Sequence, residues 1–176
     1  MGIRPRFYLL AILVLLLLPG CGVKTTPPKL PPQLQQPFQA KATIEYGDLS
    51  ISALLFKEKE DCFRLEFQSP DVLNGMSMSF EADQITIQYR GLTGSYRPGS
   101  LPQAAVGQLL AESIGTVCQG EKLQLSLNES VLHAEGVLAG KEDSFTVTMD
   151  AQSGILQTLT IPGQDFQVTF QEFSFQ

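Results

Sequence analysis

Apolar and polar residues alternate one by one along most of the chain after residue 37. In the first such run, FQAKATIEY at residues 38–46, every second residue from Phe38 onwards is apolar or aromatic. Side chains of a β-strand point alternately to the two faces of a sheet, so this pattern predicts strands with one buried and one solvated face. Strands of that kind are typical of antiparallel sheets.

Short turn sequences separate the alternating runs, which predicts a meander of antiparallel strands. Five runs precede residue 100, and their apolar positions begin at Phe38, Leu49, Phe63, Met76 and Ile85. Five more follow residue 120, and theirs begin at Leu123, Leu132, Phe145, Ile155 and Phe166. Near the end, Phe173 and Phe175 are out of phase by one residue, which predicts a bulge or a bend.

Between the two sets of runs, the apolar period becomes helical. SLPQ at residues 100–103 resembles a capping box, with Ser100 as the N-cap and Gln103 three residues later. Gly120 is the expected C-terminal stop. We predict one helix over residues 101–118, with an apolar face formed by Ala105, Leu109, Ile114 and Val117.

Ten strands with one solvated face do not stay flat. We therefore predict a mainly β fold with one helix: a curled antiparallel sheet, an open or half β-barrel, with the helix packed on its concave side. A flat two-sheet sandwich, with the helix as the crossover, is the alternative architecture.

The N-terminus has a different composition. Arg4 and Arg6 precede an unbroken apolar run from Phe7 to Leu18. This run is shorter than the roughly 20 residues of a transmembrane helix, and it fits the apolar region of a secretory signal peptide. The run ends in LPGC at residues 18–21.

This ending resembles the lipobox of bacterial lipoproteins. The resemblance implies a signal peptide over residues 1–20 and a Cys21 that carries the lipid and begins the mature chain. Gly22, rather than Asp, would permit outer-membrane sorting in a Gram-negative cell. An uncleaved signal anchor, or a plain signal peptide followed by an ordinary cysteine, is the alternative. We expect an extracytoplasmic lipoprotein anchored in the cell membrane or the outer membrane.

Residues 21–37 contain the lipidated Cys and a proline-rich segment, GVKTTPPKLPPQLQQP, without apolar periodicity. Proline fixes φ and removes a backbone donor, which predicts an extended spacer of up to roughly 50 Å. A loop packed on the domain is the alternative. The folded domain is then residues 38–176.

Two segments carry a further resemblance: SPDVLNGMSMSF at residues 69–80 and SLPQA at residues 100–104. With the lipobox, the spacer and the interrupted meander, they resemble the LolA/LolB-like half-barrel lipoproteins, the lipoprotein localisation factors, and most of all lipoproteins of spore-forming bacteria. The resemblance implies a concave apolar surface that holds acyl chains or another protein. The acyl-binding arginine of the carrier proteins has three unranked candidates, Arg64, Arg90 and Arg97.

Methionines and phenylalanines could line such a concavity. The candidates are Met76, Met78, Phe80, Phe145, Phe166 and Phe170. An ordinary core is the alternative for each of them. Cys62 and Cys118 could form a disulfide in an oxidising compartment, or remain two buried thiols.

The sequence offers little for catalysis. His133 is the only histidine, so a Ser-His-Asp arrangement has one candidate base, which we expect at the surface. No CxxC motif or His/Cys cluster indicates a metal, and no glycine-rich phosphate loop indicates a nucleotide. The net charge of −6, without a basic stripe, argues against a nucleic-acid partner. We therefore expect no enzyme activity and no cofactor.

Two functions follow from this pattern. The first is a membrane-anchored lipoprotein that binds a lipid, or the acyl part of a lipoprotein, in an apolar concavity. The second is a lipoprotein that supports an envelope or spore-cortex enzyme by protein interaction. The first predicts a large cavity beneath the helix, and the second predicts a well-packed concavity.

Overall fold

The computed structural model describes residues 27–81, 83–98, 100, 105–138 and 143–176. The predicted signal peptide, Cys21 and residues 101–104 of the predicted capping box lie outside these ranges. The described chain forms eleven strands and one α-helix, with two short 3-10 helices. In chain order these are η1 (Pro32–Gln35), β1 (Phe38–Tyr46), β2 (Leu49–Lys59), β3 (Cys62–Ser69), β4 (Ser77–Glu81), β5 (Gln84–Tyr89), β6 (Leu92–Tyr96), α1 (Ala105–Gln119), β7 (Gln124–Asn128), β8 (Val131–Val137), β9 (Ser144–Asp150), β10 (Leu156–Ile161), η2 (Pro162–Gln164) and β11 (Phe166–Phe175).

All eleven strands belong to one antiparallel sheet, in the order β6-β5-β4-β3-β2-β1-β11-β10-β9-β8-β7. The chain runs outward from β1 to the edge strand β6, crosses in α1 to the other edge strand β7, and returns inward to β11. The last strand then pairs with β1 at the centre of the sheet. The predicted curled sheet with one helix is confirmed: the sheet is a half-barrel, and its edges do not pair with each other.

The helix crosses the concave side and packs against β4, β8, β9 and η1. Its close approach depends on Gly107, since a Cβ there would lie 2.6 Å from Cζ of Phe80. The helix ends as predicted at Gly120, which has a φ of 73° and donates its N–H to Thr116 and Val117. A positive φ of this size favours glycine over residues with a Cβ.

The sequence pattern predicted five strands before the helix, and the structure has six. The missed strand is β6, LTGSY, in which Leu92 is 76% exposed and no residue is fully buried. In β6 the alternate positions hold Leu92, Gly94 and Tyr96, so the glycine interrupts the apolar period. The strand forms because Arg90 and Gly91, both with positive φ, make a tight turn that pairs β6 with β5.

The predicted irregularity near the C-terminus is confirmed as a bulge. Gln39 pairs with Ser174 but Lys41 pairs with Gln171, so β11 has one extra residue, next to Glu172 with a φ of 49°. The bulge brings the ring of Phe173 onto the ring of Phe38 in β1.

The end of the predicted spacer packs on the domain. Leu34, in η1, is 1% exposed, and Leu30 packs partly buried against the same core. Gln35 donates from Nε2 to the backbone oxygen of Cys118 at 2.7 Å, which joins η1 to the end of α1. Two leucines spaced four residues apart are the sequence signal for this docking, and the surrounding prolines hide it.

Candidate binding groove

The concave side of the sheet is filled by its own side chains and by the helix. Leu110, Ile114 and Val117 of α1 are 0% exposed. Met76 is partly buried against this core. The other residues that we considered as cavity lining are buried members of it: Met78, Phe80, Phe145, Phe166 and Phe170. Met78, Phe145, Phe166 and Phe170 occupy the positions of an ordinary core, whereas Phe80 also lines a groove beside the helix and Met76 lines a separate surface pocket with Leu54 and Phe67.

A groove of about 370 Å³ remains open along one side of α1, where the helix faces β3, β4 and β5. Its apolar floor comes from Phe63, Phe80 and Ile85 of the strands, and from Ala111 and Gly115 of the helix. An engineered apolar cavity of about 150 Å³ holds one benzene, so the groove has room for about two ring-sized side chains.

The rim of this groove is acidic. Asp61, Glu81 and Glu112 line it, and none of the described lining residues is lysine or arginine. Gln119 donates from Nε2 to Asp61, and Gln108 donates from Nε2 to Glu112, each at 2.7 Å. The ion pairs in the described ranges involve Glu58, Glu66 and Glu172, which do not line the groove. The groove therefore has a negative rim around an apolar floor.

Lys57 lies on the concave side and is only 3% exposed. Its Nζ donates to the backbone oxygens of Leu34 and Gln35, at 2.9 and 2.8 Å, and more weakly to that of Gln36 at 3.4 Å. The ammonium thereby binds the backbone carbonyl groups at the end of η1 and attaches this segment to β2. Sequence analysis missed this residue, although Lys57 continues the inward positions of β2 after Leu55.

The three arginine candidates do not line the groove. Arg64 is half-buried, forms ion pairs with Glu58 and Glu66, and lies over the ring of Phe56 with 4.3 Å between Cζ and the centroid. Because Phe63 and Leu65 point inward in β3, the side chain of Arg64 between them points to the convex face. The other two, Arg90 and Arg97, are exposed in the turn before β6 and the segment after it.

Cys62 and Cys118 are both free thiols. The ring of Phe63 faces α1, with its Cε2 3.5 Å from where a Cβ of Gly115 would lie. Cys62 precedes Phe63 in β3, so its side chain points to the other face of the sheet. Cys118, near the end of α1, instead belongs to the core on the concave side. The two thiols are not bonded in the structure, and they lie on opposite faces of the sheet.

Burial raises the pKa of the Cys118 thiol to about 11, although the Lys57 ammonium acts in the opposite direction. The thiolate is the reactive form, so we expect Cys118 of the native protein to react slowly with iodoacetamide at neutral pH. The rate should rise as the pH approaches this pKa, and unfolding in denaturant should abolish the protection. Peptide mass mapping of each cysteine measures both rates.

Cys62 is the internal comparison for this experiment. Its pKa is also raised, first by burial and then by the carboxylates of Glu58 and Glu81. The two side chains are equally little exposed, at 5% and 6%, but only Cys118 belongs to the hydrophobic core cluster. We therefore expect Cys62 to react faster. Native labelling of Cys118 at the rate of the unfolded chain, or a peptide in which the two cysteines are linked, would contradict this placement.

His133 is half-buried in β8, on the face opposite Leu132 and Ala134. No group of three or more His, Cys, Asp or Glu side chains suited to a metal ion occurs in the described ranges. In the same part of the chain, none of the helices has the length and apolar character needed to cross a membrane.

No protein-family model matches the sequence, and no curated protein matches it. Solved structures do match its fold. One is the GerS lipoprotein of Clostridioides difficile, solved with the CwlD amidase: it is 14% identical, with a TM-score of 0.51, covering 100% of this chain and 98% of that one. The chain has the fold of the GerS lipoprotein.

Two further solved structures match this chain. A conserved protein of Thermus thermophilus is 13% identical, with a TM-score of 0.53, and the match covers 82% of this chain and 81% of that one. A LolA superfamily protein of Nitrosomonas europaea is 8% identical, with a TM-score of 0.47, covering 81% and 87% of the two chains. The resemblance noted in the sequence, to half-barrel lipoproteins that include those of spore-forming bacteria, is confirmed at the level of fold.

Proposed function

We propose that this chain is a non-enzymatic lipoprotein of the cell envelope that binds a protein partner. The observation that carries the proposal is the filled concavity. Leu110, Ile114 and Val117, on the inner side of α1, are 0% exposed, as a protein-interaction module predicts and as a lipid carrier with a large cavity does not. On the helix side of the sheet, the groove beside α1 stays open and suits a few side chains.

The GerS lipoprotein gives this proposal its precedent. Its structure was solved in complex with the CwlD amidase. By analogy, an envelope enzyme is the first class of partner to consider for this chain. The likeness between the two chains is one of fold, so the identity of the partner rests on experiment.

The membrane anchor in this proposal is Cys21. The LPGC ending of the apolar run supports lipidation of Cys21 and loss of residues 1–20. Because Leu30 and Leu34 pack on the domain, only residues 22–29 are left to separate it from the lipid. Eight residues span at most about 28 Å when extended, so the domain would act close to the membrane surface.

Lipid or acyl-chain binding is the second candidate. The observation that favours it is the apolar floor of the groove, formed by Phe63, Phe80 and Ile85. Any such ligand would have to fit a groove of about 370 Å³, near the lower end of the roughly 300–1,000 Å³ typical of ligand pockets.

Native mass spectrometry of the full-length protein, purified from its own envelope in mild detergent, separates the two functions. We expect a mass without noncovalently bound lipid, and a specific protein adduct after photocrosslinking in the intact envelope. A Cys21→Ser variant should leave the membrane fraction and lose the adduct. A lipid that dissociates on denaturation, together with no protein adduct from any surface position, would favour the second candidate instead.

A further inference from the structure

This inference rests on the proposed function and concerns the surface that contacts the partner protein. We propose that the groove between α1 and β3–β5 binds a basic, apolar segment of the partner protein. Large apolar side chains of that segment would lie on the floor, and its lysines or arginines would face the carboxylates of Asp61, Glu81 and Glu112.

The negative charge of the rim favours a cationic peptide segment as the ligand of the groove. Three carboxylates from separate elements line one opening, without a basic residue among the described lining positions. Of the residues outside the described ranges, those nearest in sequence to the lining positions, 82, 99 and 101–104, are uncharged. Arg97, beside the lining residue Pro98, is exposed and is not itself among the described lining residues. Complementary charge attracts a cationic segment and speeds its association. The same carboxylates disfavour a fatty-acid carboxylate or an anionic lipid headgroup, because like charges in contact repel.

Gly115 gives an independent indication that the floor is kept open. It lies in α1, where glycine is about 1 kcal/mol less favourable than alanine. A Cβ there would touch only Phe63, at the ordinary contact distance of 3.5 Å. Packing therefore does not require a glycine, in contrast to Gly107, where a Cβ would lie 2.6 Å from Phe80. What the missing methyl group provides at position 115 is space in the groove.

The first test measures binding of a synthetic peptide to the full-length protein in detergent. The peptide has two phenylalanines one helical turn apart, flanked by lysines, and its control has glutamates in place of the lysines. We expect the lysine peptide to bind, its affinity to fall as salt is added, and the glutamate peptide to bind at least about tenfold more weakly. Equal binding of the two peptides would overturn the charge assignment.

Variants then locate the site. The double substitution Glu81→Gln and Glu112→Gln should weaken binding of the lysine peptide about three- to tenfold and reduce its salt dependence. The matched control, Glu45→Gln with Glu135→Gln, removes the same charge from exposed positions away from the groove and should change affinity less than twofold. Equal losses in the two variants would place the peptide elsewhere.

Gly115→Ala tests the floor without unfolding the protein. We expect weaker peptide binding together with a raised melting temperature, because the added methyl group fills the groove while alanine favours the helix. A loss of affinity that came with a lowered melting temperature would be a folding defect, and unchanged affinity would remove the floor from the site. Palmitate and phosphatidylglycerol vesicles serve as competitors, and displacement of the peptide by either would point to a lipid site.

Photocrosslinking in the envelope connects this site to the natural partner. A photoreactive residue at Thr116, in the groove, should give the protein adduct, whereas one at Gln157, exposed on β10, should not. An adduct from Gln157 but not from Thr116 would refute the groove and leave the proposed function standing. No protein adduct from either position or any other would refute the proposed function itself.

Discussion

Replacing Lys57 with methionine is expected to lower the free energy of unfolding by about 2–4 kcal/mol, since hydrogen bonds to charged groups are strong and buried carbonyl groups without partners are destabilising. The Lys57 ammonium is 3% exposed and donates to the backbone oxygens of Leu34 and Gln35 at 2.9 and 2.8 Å. Methionine preserves the length and apolar stem of the side chain but donates no hydrogen bond. Chemical denaturation of the full-length protein measures the change.

The same substitution should release the N-terminal segment before the domain unfolds. Without the ammonium, η1 loses its three contacts to Lys57 and is held only by the burial of Leu34 and the hydrogen bond from Gln35 to Cys118. Protease should therefore cut the segment sooner under native conditions. Lys59→Met is the matched control, because Lys59 is exposed on the same strand and should change stability by less than about 0.5 kcal/mol. If the two variants behaved alike, the three carbonyl groups would not be what Lys57 stabilises.

Replacing Phe38 with alanine is expected to destabilise the domain by about 3–5 kcal/mol, the usual range for a fully buried phenylalanine. Phe38 is 0% exposed at the start of β1, the strand at the centre of the sheet. Its ring stacks on Phe173 with centroids 4.8 Å apart, and meets Phe175 edge-on at 6.4 Å. The substitution therefore removes a core side chain and the contacts that hold the bulged end of β11. Thermal or chemical unfolding measures the loss.

The contribution of the ring stack can be separated from that of burial. Phe173 is half-buried, so Phe173→Ala should be less destabilising than Phe38→Ala. In a double-mutant cycle, the two substitutions should show a coupling of about 0.5–1.5 kcal/mol, the range found for aromatic pairs. Additive effects would mean that the bulge is held by the backbone pairing of β1 with β11 alone.

The period of the apolar residues was enough to predict most of the fold. It gave ten of the eleven strands, the helix before Gly120 and the irregularity at Phe173, because each of these has its own apolar period or a specific backbone requirement. The missed strand, β6, has a glycine between Leu92 and Tyr96 where an apolar side chain would continue the alternation, so pairing with β5 decides its conformation. The other edge strand, β7, has no fully buried residue either, but its alternating leucines were enough to predict it.

The candidate site was much less accessible to sequence analysis. The phenylalanines and methionines were found as a set, but period alone does not distinguish a side chain that lines a cavity from one that is covered by a helix. The acidic rim combines Asp61 from the β2–β3 turn, Glu81 from β4 and Glu112 from α1. These residues are far apart in the chain, so no sequence motif indicates that they lie together. The sequence by itself determined which residues face inward. Tertiary structure decided that α1 fills the concavity and that Lys57 fixes η1, because both depend on contacts between segments far apart in the chain.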